Sequence, residues 1–424
     1  MRILLITQYW APENGVPQRR WNWLTELLLE NGHEIMVVAP PAHYLRKLSL
    51  KEWVREKGFR SYVDEHAHRP KLQVVRSGYF PGGTSITEKV LNQCAVAAGS
   101  LMVLFRRKGV VADFAPDLVI GTVPAIPTAL VTFVASRRFR VPYVIDLRDA
   151  WPELLQVTGK WNIATGTPSL RQRVLSKGPL QFAVKLTDFV LSTTLRRAES
   201  VIATSENLCV DLNQRFKEWN RAVTVRNVFP PETLIDKEID FDRKAHSLNV
   251  LYAGTLGRAQ NLDNALQAAK IAQVNGVEVK LRFVGAGAAK QELISNAARM
   301  GLNAVFEERR GPEQLEELYE WADTALVHLT DWEPLRRAVP SKTYELMDQG
   351  LHISAAVAGE TADLVSSLAA GDVVAPEEPH QLASLWEELA RDRARLQVPQ
   401  YAREWVREQR TRVAPRAFLS TVEK

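Results

Sequence analysis

The amino-acid sequence predicts an α/β fold of two doubly wound, Rossmann-like domains facing across a cleft, and three observations carry that expectation. A chain of 424 residues exceeds one ordinary hydrophobic core, and 46% hydrophobic with 24% charged residues describes a globular protein. Short apolar runs alternate with longer helical stretches, the pattern of strands joined by crossover helices in a parallel sheet. That alternation stops near residue 230 and starts again, so it occurs twice. The predicted organisation is an N-terminal domain over residues 1–230, a C-terminal domain over 231–400, and a C-terminal helix over 401–424 packing back toward the domain junction.

In the first half, apolar runs of strand length stand at Ile3 to Thr7, Glu34 to Val38, Leu118 to Ile120, Tyr143 to Asp146 and Val201 to Ala203. The helix after the first strand is expected to open near Gln18 and to stop at Gly32, since glycine accepts the left-handed conformation that ends helices. Asn227-Val228-Phe229-Pro230-Pro231 and the charged stretch Asp236 to Lys244 read as the linker. The second half restarts with Asn249 to Tyr252 and continues through Lys280 to Val284, Ala304 to Phe306, Ala325 to His328, Ile353 to Ala355 and Asp372 to Val374. Tyr401 to Phe418 carries Trp405 and several arginines at helical spacing. Sheets of this kind bind ligands at the carboxyl ends of their strands.

Composition narrows the function classes. Cys94 and Cys209 are the only cysteines, too few for a disulfide framework or a cysteine metal site, which fits a reducing compartment. Arg2 is followed at once by Ile3-Leu4-Leu5-Ile6 with no cleavage-like site behind, so a cytoplasmic protein is expected. Val90 to Phe105 is interrupted by Asn92 and Gln93, and Leu118 to Val134 by Pro124 and Pro127; both fall short of a transmembrane span.

Charge is divided unevenly: residues 1–230 hold 31 Lys and Arg against 19 Asp and Glu, and the remainder holds 23 against 30. Arg106-Arg107-Lys108, Arg137-Arg138 with Arg140, and Arg196-Arg197 lie beside apolar stretches, as expected of a surface touching anionic lipid headgroups at the inner face of the cell membrane. Solubility and scattered ion pairs are the alternative. Nucleic acid is not expected, because no recognition module or repeated aromatic-basic pattern accompanies the charge.

Pro340-Ser341-Lys342-Thr343-Tyr344-Glu345-Leu346-Met347-Asp348-Gln349-Gly350 is the most informative stretch. Pro340 is expected to open a helix, Ser341 to cap it and Gly350 to close it, gathering free N–H groups and the positive end of the dipole at its start. Lys342 and Glu345 are three apart and therefore neighbours. The ammonium suits a diphosphate and the carboxylate suits sugar hydroxyls; a solvated surface pair is the alternative. Three loops accompany this helix. Tyr9 to Pro17 contains Gly15, where backbone can approach a phosphate or sugar, or simply turn. Ala253 to Asn261 contains Gly254, Thr255, Gly257 and Arg258, a loose likeness to the dinucleotide fingerprint that lacks its third glycine. Val284-Gly285-Ala286-Gly287 is the third, where a base or ribose could lie against the backbone.

These landmarks, with Asn31-Gly32-His33-Glu34, Asp146 to Glu153 and Ala322-Asp323, resemble nearly from end to end the retaining nucleotide-sugar glycosyltransferases of family four, which have the GT-B fold. The likeness is nearest to bacterial members that build capsule, O-antigen or colanic-acid-type polysaccharides. It implies a donor site for a nucleoside diphosphate sugar in the second domain, with Glu345 on the ribose, Lys342 and Arg258 on the phosphates, and Gly15 closing over the donor. It implies hexosyl or related transfer with retention to a saccharide or lipid-linked acceptor entering from the first domain. No metal or other cofactor is expected: cations and a helix N-terminus can stabilise a departing diphosphate, and the acids of Asp146-Leu147-Arg148-Asp149 are one residue too far apart for a metal-binding Asp-x-Asp.

The chain departs from the family pattern in two places. Arg337 stands where many relatives carry a second Glu, with Glu333 four residues upstream, and Gly121-Thr122-Val123-Pro124 occupies the region where relatives place a histidine. His33 reads as a turn residue. Asp149 is the acceptor-side candidate, as general base or as acceptor of a hydroxyl hydrogen bond; pairing with Arg148 or capping the next turn is the alternative. Leu154 to Leu191 and the histidine-bearing Ala42 to Pro70 are expected to shape the acceptor site. Two other classes remain open: a nucleotide-sugar epimerase of the same fold, which would alter donor without acceptor, and a non-catalytic assembly partner at the membrane.

Overall fold

Buried strands joined by crossover helices form two sheets in the computed structural model, which describes residues 1–43, 48–82, 86–150, 179–216, 220–231, 234–235 and 246–424. The predicted linker Asp236 to Lys244, Trp151-Pro152-Glu153 and most of Leu154 to Leu191 lie outside the described residues. The chain divides into two units: the described residues up to Phe229 together with Val413–Lys424, and Pro230–Arg412.

The first unit runs β1 (Arg2–Ile6), α1 (Val16–Glu30), β2 (Glu34–Ala39), α2 (Leu50–Arg55), β3 (Tyr62–Val63), β4 (Leu72–Arg76), α3 (Ile86–Leu104), α4 (Val110–Asp113), β5 (Leu118–Val123), α5 (Ile126–Phe139), β6 (Tyr143–Leu147), α6 (Pro179–Arg197), β7 (Ser200–Ala203), α7 (Glu206–Arg215) and β8 (Ala222–Thr224). The sheet order is β3-β4-β2-β1-β5-β6-β7-β8, parallel throughout except that β3 runs against β4. Ile3, Leu4, Leu5 and Ile6 are all buried, as a continuous apolar run must be at the centre of a parallel sheet covered on both faces. Ile3 pairs with Ile35 on one side and Leu118 on the other, so the strand order reverses at β1. Right-handed crossovers then place α1 on one face and α3, α5 and α6 on the other, where α3 packs on α5 and α5 on α6.

β4 was not predicted. Its run Leu72-Gln73-Val74-Val75-Arg76 ends in a buried guanidinium, which donates to Asp64 at 2.7 Å and to the carbonyls of Pro40 and Ala11 at 3.1 and 2.8 Å. Those partners offset the cost of burying the charge and let an arginine sit inside the sheet.

The second unit runs β9 (Ser247–Ala253), α8 (Asp263–Val274), β10 (Glu278–Val284), α9 (Lys290–Met300), β11 (Ala304–Glu307), α10 (Pro312–Trp321), β12 (Thr324–His328), α11 (Ser341–Gln349), β13 (His352–Ala356), α12 (Glu360–Ser367), β14 (Gly371–Val374), α13 (Pro379–Arg391) and α14 (Gln400–Glu408). Its six strands are all parallel, in the order β11-β10-β9-β12-β13-β14, with the reversal between β9 and β12. A π-helical turn, Gln409–Val413, leads from α14 into α15 (Ala414–Val422), which belongs to the first unit. There Phe418 meets the edge of Trp21 from α1, ring centres 6.1 Å apart.

Candidate functional site

The Lys342 and Glu345 side chains meet on α11. The helix starts at Ser341, with Pro340 in the capping position and no side-chain cap, so Ser341 is the first helical residue and not the cap. The proline ring fixes φ near the value the turn needs (−57°), while Gly350 closes the helix in the left-handed conformation at φ 67°. Lys342 Nζ donates to Glu345 Oε1 at 3.0 Å and to the Tyr319 hydroxyl at 3.1 Å, and that hydroxyl donates to the same carboxylate oxygen at 2.6 Å. Glu345 is 8% exposed as a side chain and Lys342 28%, so the carboxylate is fixed while the ammonium reaches solvent. Sequence reasoning missed Tyr319, which α10 supplies from 23 residues upstream of Lys342.

The rest of α11 is held still. Tyr344 stacks on Trp405 of α14 at 6.3 Å, and buried Asp348 accepts from Arg410 at 2.5 Å with Arg407 at 3.6 Å. Gln349 accepts from the Ile235 N–H at 2.7 Å, and Arg403 donates to its carbonyl at 2.9 Å. The arginines legible at helical spacing in 401–418 therefore brace the motif helix.

The two glycine loops follow β9 and β10 and lie backbone to backbone. Gly254 donates to Val284, Leu256 to Ala286 and Ala289 to Leu256, at 2.9 to 3.0 Å. Gly285 has φ +151°, and a Cβ there would stand 1.9 Å from the Gly254 carbonyl; one at Gly287 would stand 2.0 Å from the Leu256 carbonyl. The side of Gly285 on which a Cβ would stand is thus occupied by the neighbouring loop. Thr255 and Arg258 are exposed on this edge, and Gly257 opens a 3₁₀ turn over Arg258–Gln260. Thr330, just beyond β12, anchors that turn by donating from N and Oγ1 to Ala259 at 2.9 and 3.2 Å.

His328 closes β12 beside this loop and was not singled out from the sequence. Its Nε2 lies 2.9 Å from Asn264 Nδ2, and burial pushes its pKa down to about 4 against a backbone contact with Gln260. It is a neutral acceptor near neutral pH.

In the first unit Gly15 is the N-cap of α1, which opens at Val16 and not Gln18; Gln18 Oε1 instead accepts from Gly15 N at 3.2 Å. Asp146 is fully buried and belongs to a structural pair. Arg20 Nη2 and Nε donate to it at 2.9 to 3.3 Å, and Trp21 Nε1 at 2.8 Å. Asp149 is exposed, three residues on, and its charge and that of Asp146 partly oppose the burial that lowers the Arg148 pKa. His33 binds Glu423 at 3.2 Å and the chain's amino group at 3.3 Å, a structural role. Within Ala42 to Pro70, buried His43 contacts the Pro41 carbonyl at 2.9 Å and Asn92 Oδ1 at 3.3 Å, while Gln8 donates to the same Oδ1 at 2.8 Å. Burial, the largest influence, holds the His43 pKa below its ordinary value. Glu333 accepts from Arg337 at 2.8 Å on the approach to α11. Among the described residues no three His, Cys, Asp or Glu side chains form a group that could hold a metal.

Two family models match the chain: "Glycosyl transferases group 1" over residues 236–406 and "Glycosyl transferase 4-like domain" over residues 15–227. No curated protein matches it significantly. Among solved structures it is similar to sucrose-phosphate synthase from Thermosynechococcus elongatus, with a TM-score of 0.68 and 15% identity over 100% of this chain and 97% of that one. It is similar to HepE from Anabaena in complex with UDP-glucose, with a TM-score of 0.61 and 15% identity over 100% and 99%. WaaG, a glycosyltransferase involved in lipopolysaccharide biosynthesis, gives a TM-score of 0.61 and 14% identity over 99% and 98%.

Proposed function

Because the chain belongs to the group 1 glycosyl transferases, with a glycosyl transferase 4-like first half and the GT-B fold of two Rossmann-like units, we propose that it moves a sugar from a nucleoside diphosphate sugar to an acceptor hydroxyl. The observation that carries this reading is the Lys342, Glu345 and Tyr319 cluster at the start of a rigidly braced helix. Glu345 would accept from the ribose hydroxyls. Lys342, Arg258 and the N–H groups at the opening of α11 would meet the diphosphate as the anomeric C–O bond breaks and the oxygen keeps the electron pair. Gly15, Gly254, Thr255, Gly257 and Gly285 complete the proposed donor contacts.

On the acceptor side the incoming oxygen bonds to the anomeric carbon and gives up its proton, for which Asp149 is the proposed recipient. The reaction is proposed to proceed without a metal and with retention, the acceptor entering on the face the diphosphate leaves. A lipid-linked glycan intermediate of surface polysaccharide synthesis is the proposed acceptor, taken at the inner face of an anionic membrane. WaaG supports the polysaccharide setting, and the UDP-glucose in HepE makes UDP-glucose the first donor to try and UDP the first nucleotide.

Calorimetry with UDP and its sugars, extended to guanosine and adenosine diphosphates, tests the donor site. Affinity should fall in both Lys342→Ala and Glu345→Ala with the fold intact. Conversion of the donor without any acceptor would favour the epimerase instead.

A further inference from the structure

The outward surface of α3, α5 and α6 carries apolar side chains where a solvent-facing layer should be polar. α3 is the extreme case: Leu91, Cys94, Ala98, Met102 and Phe105 are exposed at intervals of three and four, so they form one stripe along the helix. From Val90 to Phe105 the helix has no charged residue. Met102 is 68% exposed, and Leu130 of α5 with Leu186 and Phe189 of α6 extend the apolar surface. An exposed contiguous apolar surface marks a binding surface.

Charge frames that surface at one end. The three helices cross between parallel strands in the same sense, so their C-termini gather along one edge of the unit, bringing together the clusters that begin at Arg106, Arg137 and Arg196. Among the described residues none of these cations makes an ion pair, and Arg196 and Arg197 lie instead over the rings of Phe216 and Phe133. A cavity of about 470 Å³ lined by Ser136, Arg137, Arg140 and Val141 opens on the same edge. Cations at helix C-termini also favour the helix dipole, but that effect leaves the apolar stripe unexplained.

Building on the membrane reading above, we propose that this surface docks on an anionic phospholipid bilayer, with the α3 stripe against the acyl boundary and the arginine edge, including the Arg137 and Arg140 cavity, on headgroup phosphates. The pairing of apolar area with uncompensated cations is what anionic interfaces select. A second copy of the chain fits poorly. The three helices carry only Glu88 and Asp188 as acids, so a two-fold contact would bury far more positive than negative charge. Asn92, next to Leu91 on α3, turns inward to Gln8 and His43, so one helix connects the lipid-facing stripe to a buried polar cluster near the ends of β1 and β2.

Vesicle flotation with full-length protein tests this, comparing phosphatidylcholine alone with phosphatidylcholine containing phosphatidylglycerol. Wild type should float only with the anionic vesicles, and added salt should release it. Each cation removed should cost about five-fold in partitioning, so Arg137→Ala/Arg140→Ala should lose about 25-fold; Met102→Ser/Phe105→Ser should weaken binding to the same vesicles. Cys94 is exposed on the stripe and Cys209 buried, so an environment-sensitive thiol label reports on α3. Its emission should shift on anionic vesicles and be quenched by brominated acyl chains. Equal flotation with both vesicle types, no flotation, unchanged binding in both double variants, or a label shift that follows protein concentration without lipid would each overturn the proposal. UDP calorimetry on the same preparations separates the two readings, since the surface variants should bind nucleotide as wild type does.

Discussion

Asp146→Asn should destabilise the first unit by about 3–5 kcal/mol, the cost of leaving a buried charge without its partner. Arg20 is fully buried and gives Asp146 its Nε and Nη2, while its Nη1 goes to the Val225 and Arg226 carbonyls and to Asn227 Oδ1 at 2.9 to 3.3 Å. Trp21 Nε1 takes the second carboxylate oxygen at 2.8 Å. An asparagine keeps the shape but turns one oxygen into a donor, so an N–H must face either the guanidinium or the indole N–H. The neighbouring Arg148 adds a second cation beside Arg20. Hydrogen exchange read by mass spectrometry on peptides covering β1, α1 and β6 reports opening of this unit separately from the other. Arg20→Met/Asp146→Leu, which removes both charges, should cost less than the single substitution. A single variant within about 1 kcal/mol of wild type would show that the pair is not what joins β6 to α1.

Three further outcomes are expected. His328 has a folded pKa of about 4 against 6.5 in the unfolded chain, so the unfolded state takes up the proton first as pH falls. Stability of the second unit should therefore decline between pH 6.5 and 4, by about 3 kcal/mol in total, and His328→Gln should flatten that dependence; equal slopes in the two proteins would contradict the burial argument. Gly285→Ala places a Cβ against the Gly254 carbonyl at a positive φ, so amide exchange at Gly254 and Leu256 should rise as the two loops part, and unchanged protection there would refute their mutual packing. Tyr319→Phe removes one donor to Glu345 and one acceptor from Lys342, and should lower nucleotide affinity less than Glu345→Ala does; a larger loss would assign the hydroxyl a direct role.

Much of the fold was legible because parallel strands covered on both faces must be apolar runs, and those at Ile3, Tyr143, Asn249 and Ile353 could be read directly. β4 was not, since Gln73 and Arg76 interrupt its pattern and the groups that accept from Arg76 come from distant loops. The Lys342 and Glu345 contact follows from helical spacing alone, whereas Tyr319 joins them only through tertiary packing. The structural pairing of Asp146 was not legible, because Arg20, its partner, is 126 residues away. Gly285 and Gly287 read from the sequence as backbone that a base or ribose could lie against; that the neighbouring loop fills the side where a Cβ would stand follows only from tertiary packing. The cap of α11 fell to Pro340 because the proline already fixes the turn one residue before Ser341.

The proposed donor site rests on α11 gripping the diphosphate and ribose of an activated sugar. Titration calorimetry with UDP, or whichever nucleoside diphosphate the wild-type protein binds, compares wild type with Lys342→Ala and Glu345→Ala at matched folding. Loss of a charged hydrogen-bonding partner predicts roughly ten- to hundred-fold weaker binding in each, about 1.5–3 kcal/mol. Wild-type affinity in both variants would remove the donor site from this helix.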